Sequence, residues 1–185
     1  METDTGLERK FARVDGAVLS VNEAGRIEGY ASLFDAPDQG GDVVAKGAYA
    51  ASLKRLAAED RRVKMLWQHD PAQPIGIWDE VREDARGLHV TGRLLETVER
   101  AREAAALIDA GAIDGLSIGY RTLRATKSDK GQRLLQELEL WEVSLVTFPM
   151  LPSARVAAKG DSPEAETMRE LAAVFDAARR EMARM

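Results

Sequence analysis

The chain has 185 residues, a formal net charge of -5, no cysteine and two histidines. That length suits one domain with a short appendage, and 45% hydrophobic residues are enough to bury a core, which excludes wholesale disorder. Zero cysteines exclude disulfides, a thiol nucleophile and thiolate metal clusters, two histidines exclude a three-His metal site, and 31 acidic against 26 basic residues argue against nucleic acid as the main partner.

Residues 1–15 are polar and read as a fraying segment or an edge strand. The opening Met1-Glu2-Thr3-Asp4 is charged and lacks a signal-peptide core, and no apolar run approaches the roughly 18 residues of a membrane span. A soluble, cytoplasmic protein without a membrane partner is therefore expected. Ala17–Ser20 and Arg26–Phe34 read as strands separated by the turn-forming Asn22-Glu23-Ala24-Gly25. Asp35–Asp42, with Pro37, Gly40, Gly41 and three aspartates, reads as a loop. A helix is expected from about Gly47 to Asp60, because Tyr49, Leu53, Leu56 and Ala57 share one helical face.

Val63, Met65 and Trp67 alternate with Lys64 and Gln68, which predicts a strand running into His69-Asp70-Pro71, where Pro71 must end or edge it. Ile75–Arg82 and Leu88–Leu95 predict a hairpin around Glu83–Gly87. Thr97–Ala110 reads as a helix capped by Thr97 and stopped by Gly111. Leu116–Leu123 and Leu134–Val146 predict a second strand pair, joined by a polar Lys127–Gln132 turn. Beyond Phe148-Pro149-Met150-Leu151-Pro152, residues 157–163 read as a small-residue linker and residues 164–185 as an amphipathic helical tail, which leaves 1–156 as the core. Strands outnumber helices and are mostly hairpin-linked. The expected fold is α+β, a mostly antiparallel sheet or small barrel with peripheral helices, rather than a doubly wound parallel sheet.

Three residues carry possible chemistry. His69 lies at a strand end, where a side chain reaches a cleft, and imidazole titrates near neutrality, as a general base must; the plain alternative is a half-exposed loop histidine. His89 shares the phase of Thr91 and Arg93 and is expected to point to solvent, so it is discounted. Ser117 faces away from Leu116, Ile118 and Tyr120 and is flanked by Gly115 and Gly119, which remove bulk beside it. A serine nucleophile needs such access and a base within reach, but a small residue in a crowded sheet looks the same. Glu142 continues the parity of Leu138 and Leu140. Either a bulge at Trp141 shifts the phase, or an acid sits on the apolar side and needs a partner, an imidazolium or more commonly Arg or Lys.

Taken together the motifs are similar to those of the tailed-phage prohead proteases. Gly29-Tyr30-Ala31-Ser32-Leu33-Phe34, Gly41-Asp42-Val43-Val44, Gly47-Ala48-Tyr49, Trp67-Gln68-His69-Asp70, Gly115-Leu116-Ser117-Ile118-Gly119-Tyr120 and Trp141-Glu142-Val143-Ser144-Leu145-Val146 occur in the order and spacing of that family over residues 25–156. The resemblance implies a serine endopeptidase of capsid maturation, related in fold to the herpesvirus assemblins. It would act inside the assembling capsid on scaffold or the scaffold-like segment of the major capsid protein, and then on itself. It implies Ser117 as nucleophile and His69 as base; a homo-oligomeric protein without cofactor or metal is expected. The assemblins orient their base with a second histidine that follows the serine; here both histidines precede Ser117, and Glu142 takes the third place. A non-catalytic assembly factor of the same fold is the alternative.

Overall fold

The computed structural model describes residues 25–38, 40–128 and 131–147, together with the backbone of three short strands, Glu8–Lys10, Ala17–Val21 and Ala154–Ala157. In chain order the elements are β1 (Glu8–Lys10), β2 (Ala17–Val21), β3 (Arg26–Leu33), β4 (Asp42–Val44), α1 (Ala50–Ala58), β5 (Lys64–Trp67), β6 (Asp70–Glu83), β7 (Gly87–Leu94), α2 (Glu99–Asp109), β8 (Gly115–Lys127), β9 (Arg133–Val146) and β10 (Ala154–Ala157). The linker from residue 158 and the tail at 164–185 lie outside the described residues, and Ala157, expected to open the linker, is the last residue of β10.

The strands form one mixed sheet in the order β1-β8-β9-β5-β6-β7-β3-β2-β10, with β4 joining β9 off that path. It curls into a half-barrel, so that β3 and β8 approach each other although they are not neighbours in the sheet. The hairpins β6–β7 and β8–β9 are antiparallel, as their turn chemistry predicts, but β4 and β5 both pair with β9 in parallel, and β10 pairs with β2 in parallel. The expectation of a mostly antiparallel sheet is met by the hairpins and corrected at β9. Among the described residues, no helix is long and apolar enough to cross a membrane.

The outer edge of β9 shows why its sequence can hold three different neighbours. Backbone donors and acceptors must all be satisfied when buried. Asp42–Val44 covers Arg133–Leu135, α1 covers the middle, and Lys64–Trp67 covers Glu142–Leu145. In the middle stretch the Leu138 N–H donates to the Ala48 carbonyl and the Leu140 N–H donates to Ser52 Oγ, both at 2.9 Å. Ser52 is fully buried for this purpose, on a helix whose N-cap residue Tyr49 lies in the core and whose Leu53 and Leu56 pack against it. Ala57, expected on the same face, is exposed.

The core gathers alternate residues of β8 and β9: Leu116, Ile118 and Tyr120 with Leu138, Leu140, Val143 and Leu145. The core parity of β9 changes between Leu140 and Val143, where the register slips from Tyr120↔Leu140 to Gly119↔Glu142. Trp141 is the extra residue, pushed out to 42% exposure. Of the two readings of Glu142, the bulge is therefore the observed one: it turns Glu142 and Ser144 to the face opposite the leucines.

Helix α2 begins at Glu99, two residues after Thr97, its best capping residue. Val98 is the N-cap and no side-chain cap is made, so Thr97 does not play the expected part. Gly111, in the left-handed region at φ +69°, ends the helix as expected, because glycine reaches that conformation without a Cβ clash. Pro71 does not end the strand either. β5 stops at Trp67 and Pro71 is the second residue of β6, where the β7 pairing, which starts at Gly76, has not yet begun. A missing N–H is tolerated there.

Candidate active site

Trp67 and Asp70 are paired, so Gln68 and His69 are the two central residues of a tight β5–β6 turn. Both lie in the left-handed region, at φ +51° and +62°. That is the primed turn that suits a hairpin's twist, but it is normally built from Asn and Gly, and each longer side chain costs on the order of 1 kcal/mol there. The turn is held by other bonds. The Gln68 N–H donates to the Leu145 carbonyl at 2.9 Å, its carboxamide Nε2 donates to Thr147 Oγ1 at 2.5 Å, and Thr147 N–H returns a bond to Gln68 Oε1 at 3.3 Å. On the other side Asp70 accepts from the Ala72 N–H and from Gln73 Nε2, both at 2.8 Å, and Arg100 of α2 donates to Gln73 Oε1 at 3.0 Å. Strain at His69 is thus fixed by contacts on both sides of it.

The ring of His69 faces Glu142 on β9, with Nδ1 2.6 Å from Oε1. The pair is buried, with His69 at 7% and Glu142 at 4% exposure. A buried carboxylate needs a donor, so the proton of a neutral imidazole is on Nδ1 and the lone pair is on Nε2. The other carboxylate oxygen, Oε2, accepts from Ser144 Oγ at 2.5 Å.

Ser117 stands directly opposite Ser144, and Gly119 opposite Glu142, on neighbouring antiparallel strands. Residues opposite each other in a ladder share a face, so Ser117, Glu142 and Ser144 line the face away from the leucine core. Ser144 in turn pairs with Leu66 of β5, three residues before His69. Ser117 and the His69 turn are therefore separated by two strand spacings, about 10 Å between backbones. The structure brings His69 and Glu142 into contact and sets Ser117 on the same face one strand beyond.

Ser117 is corrected in one respect. It faces away from Leu116 and Ile118 as its parity predicts, but it is fully buried, because both faces of Gly115–Tyr120 are covered. His89 is corrected for the same reason: it is 8% exposed, stacks edge-on against Tyr30 at 5.0 Å, and holds Nε2 3.4 Å from Glu28. It lies on β7, away from the Glu142 network, in a neighbourhood where the Tyr30 hydroxyl donates to Asp84 at 2.6 Å. Burial there works against the ionised Asp84, but the Tyr30 hydroxyl, the N–H groups of Arg86 and Gly87, and Arg82 outweigh it and hold the carboxyl down to about 2. The same bond, donated to Asp84, is the main cause that raises the Tyr30 phenol.

Gly119 and Ser144 are the parts of the site that residue types alone do not announce. A Cβ on Gly119 would lie 2.1 Å from Glu142 Oε1 and 2.8 Å from Cδ, so the glycine makes room for a carboxylate rather than for an approaching backbone. Their signal in the sequence is parity: Ser144 follows Glu142 by two, and Gly119 follows Ser117 by two. Among the described residues no three His, Asp or Glu side chains gather as a metal site requires.

Residues 14–169 match the family described as caudovirus prohead serine protease. The prohead protease of Enterobacteria phage HK97 is 33% identical over 150 residues, which cover 80% of this chain and 65% of that protein. The capsid polyprotein of Pseudomonas phage PAJU2 is 31% identical over 102 residues, 51% of this chain and 15% of the polyprotein. The chain thus spans less than two thirds of the length of either relative. Among solved structures, the bacteriophage T4 capsid assembly protease shares the fold at a TM-score of 0.60 and 19% identity, over 76% of this chain and 96% of that one.

Proposed function

The chain belongs to the caudovirus prohead serine protease family, and we propose that it is a serine endopeptidase of capsid maturation in which Ser117, His69 and Glu142 carry the reaction. The observation that bears most weight is the buried 2.6 Å contact between His69 and Glu142, on the sheet face that Ser117 shares. Glu142 fixes the ring with Nδ1 protonated, so Nε2 is the atom that takes the Ser117 proton as Oγ attacks a peptide carbonyl. The positive charge that then develops on the imidazolium is stabilised by the adjacent carboxylate. The same proton passes to the leaving amine, and a water activated by Nε2 releases the acyl group.

The substrates on this reading are a scaffold protein or the scaffold-like segment of the major capsid protein, met inside the assembling particle, followed by the protease itself. Residues 1–156 form the catalytic core and residues 164–185 a helical docking or oligomerising element. A second reading, a non-catalytic assembly factor, draws on the complete burial of Ser117, which requires the site to open before a peptide can enter. Co-expression with the cognate capsid protein separates the two. Cleavage that is lost in Ser117→Ala and in His69→Ala supports the protease, and intact capsid protein with the wild-type chain supports the assembly factor.

A further inference from the structure

We infer that Ser144 is a positioning residue for the Glu142 carboxylate, and that the hydroxyl directly opposite Ser117 is thereby removed as a rival nucleophile. The inference rests on the assignment of Ser117, His69 and Glu142 above. The last torsion of a glutamate is broad and nearly two-fold, so a single bond to His69 fixes one oxygen and leaves the plane of the carboxylate free to turn. Three features remove that freedom. His69 Nδ1 takes Oε1 at 2.6 Å, Ser144 Oγ takes Oε2 at 2.5 Å, and Gly119 lets the carboxylate lie flat against β8, where any Cβ would collide with it.

The arrangement follows from strand geometry. Ser144 is two residues beyond Glu142 on β9, so both side chains leave the same face, past the bulge at Trp141 that sets their phase. Ser144 is fully buried and Glu142 nearly so, and the hydroxyl therefore supplies the bond that water supplies at an exposed carboxylate. A serine has a single O–H proton. That of Ser144 is given to Oε2, so although Ser144 sits one strand nearer to the histidine turn than Ser117 does, its oxygen has no proton to pass to an imidazole without breaking the bond that orients the base.

The test compares wild type, Ser144→Ala, Ser144→Thr and Ser117→Ala by two readouts. One is the rate and location of labelling by a fluorophosphonate, with the adduct mapped by mass spectrometry. The other is the low-field proton NMR resonance of His69 Nδ1–H, which reports the bond to Glu142 whether or not the protein turns over. The expected result is an adduct on Ser117 alone, labelling slowed about 10- to 100-fold in Ser144→Ala, a resonance displaced or broadened in that variant, and recovery of both in Ser144→Thr, which keeps the hydroxyl. An adduct on Ser144, or a Ser144→Ala chain that labels within two-fold of wild type with its resonance unmoved, overturns the inference. A Ser144→Thr chain as slow as Ser144→Ala does so too. Absence of any serine adduct in wild type removes the triad assignment instead, and the resonance still decides whether Ser144 holds Glu142.

Discussion

Replacing Gly119 with alanine adds one methyl group where the Glu142 carboxylate lies. The new Cβ would stand 2.1 Å from Oε1, 2.8 Å from Cδ and 2.9 Å from Cγ, whereas ordinary contact begins at 3.4 Å. The oxygen must therefore retreat by about 1.3 Å, and the whole end of the side chain must follow. Oε1 is the atom that meets His69 at 2.6 Å, and Oε2 is tied to Ser144. The displacement cannot be absorbed without lengthening at least one of these bonds. Overpacking of this kind costs about 1–3 kcal/mol, which in a domain of this size corresponds to a fall of roughly 3–10 °C in Tm. A shift near 1 Å in a catalytic group costs about 100-fold in rate. The assay is cleavage of co-expressed capsid protein together with thermal unfolding of the purified chain. A Gly119→Ala protein that melts at the wild-type temperature and cleaves at the wild-type rate would refute the claim that this glycine exists to seat Glu142.

Ser117→Ala is expected to abolish cleavage with a melting temperature close to wild type, read by gel and by calorimetry; the side chain is fully buried, but it loses only one small hydroxyl. Glu142→Gln keeps the volume but removes the charge and turns one of the two acceptor oxygens facing His69 and Ser144 into a donor, and a loss of at least about 100-fold in cleavage rate is expected; a loss below 10-fold would make the acid structural. Asp84→Asn is expected to lower stability at pH 7 by about 1 kcal/mol. The folded carboxyl lies below its usual 3.8, so its contribution is full above about pH 4 and disappears as pH falls through about 2; unfolding curves of the two proteins should converge over that interval. Gln68→Gly relieves the left-handed strain but removes the clamp on Thr147, and is expected to reduce cleavage while shifting stability by less than about 1 kcal/mol, measured by denaturant titration.

Much of the site was legible as parity. Ser117 opposite to Leu116 and Ile118, and Glu142 and Ser144 in one phase, are properties of a period of two and need no tertiary information. What parity cannot say is whether the second face is covered. β7 and the first half of β8 are buried on both sides, which is why His89 and Ser117 both came out more enclosed than their neighbours suggest. The bulge at Trp141 was one of two readings of an acid in apolar phase, and only the register against β8 decides between them. The parallel pairing of β5 with β9 had no local signal at all, since it joins strands far apart in sequence, yet it carries His69 to Glu142. Short strands fail for a related reason: β4 and β10, of three and four residues, are made by the partner they meet rather than by their own composition.

The parallel pairing of β5 with β9 also sets when the site can exist. His69 and Glu142 are 73 positions apart, and the strands between them, β6, β7 and β8, are laid down in between. Closing so long a loop comes late in folding, because its entropy is spent before its contacts are won. A chain folded only as far as its β6–β7 hairpin holds His69 without Glu142 beside it and without Ser117 in place. Assembly of β9 therefore sets the moment at which His69, Glu142 and Ser117 come together, and on the function proposed above a half-folded molecule has no complete site.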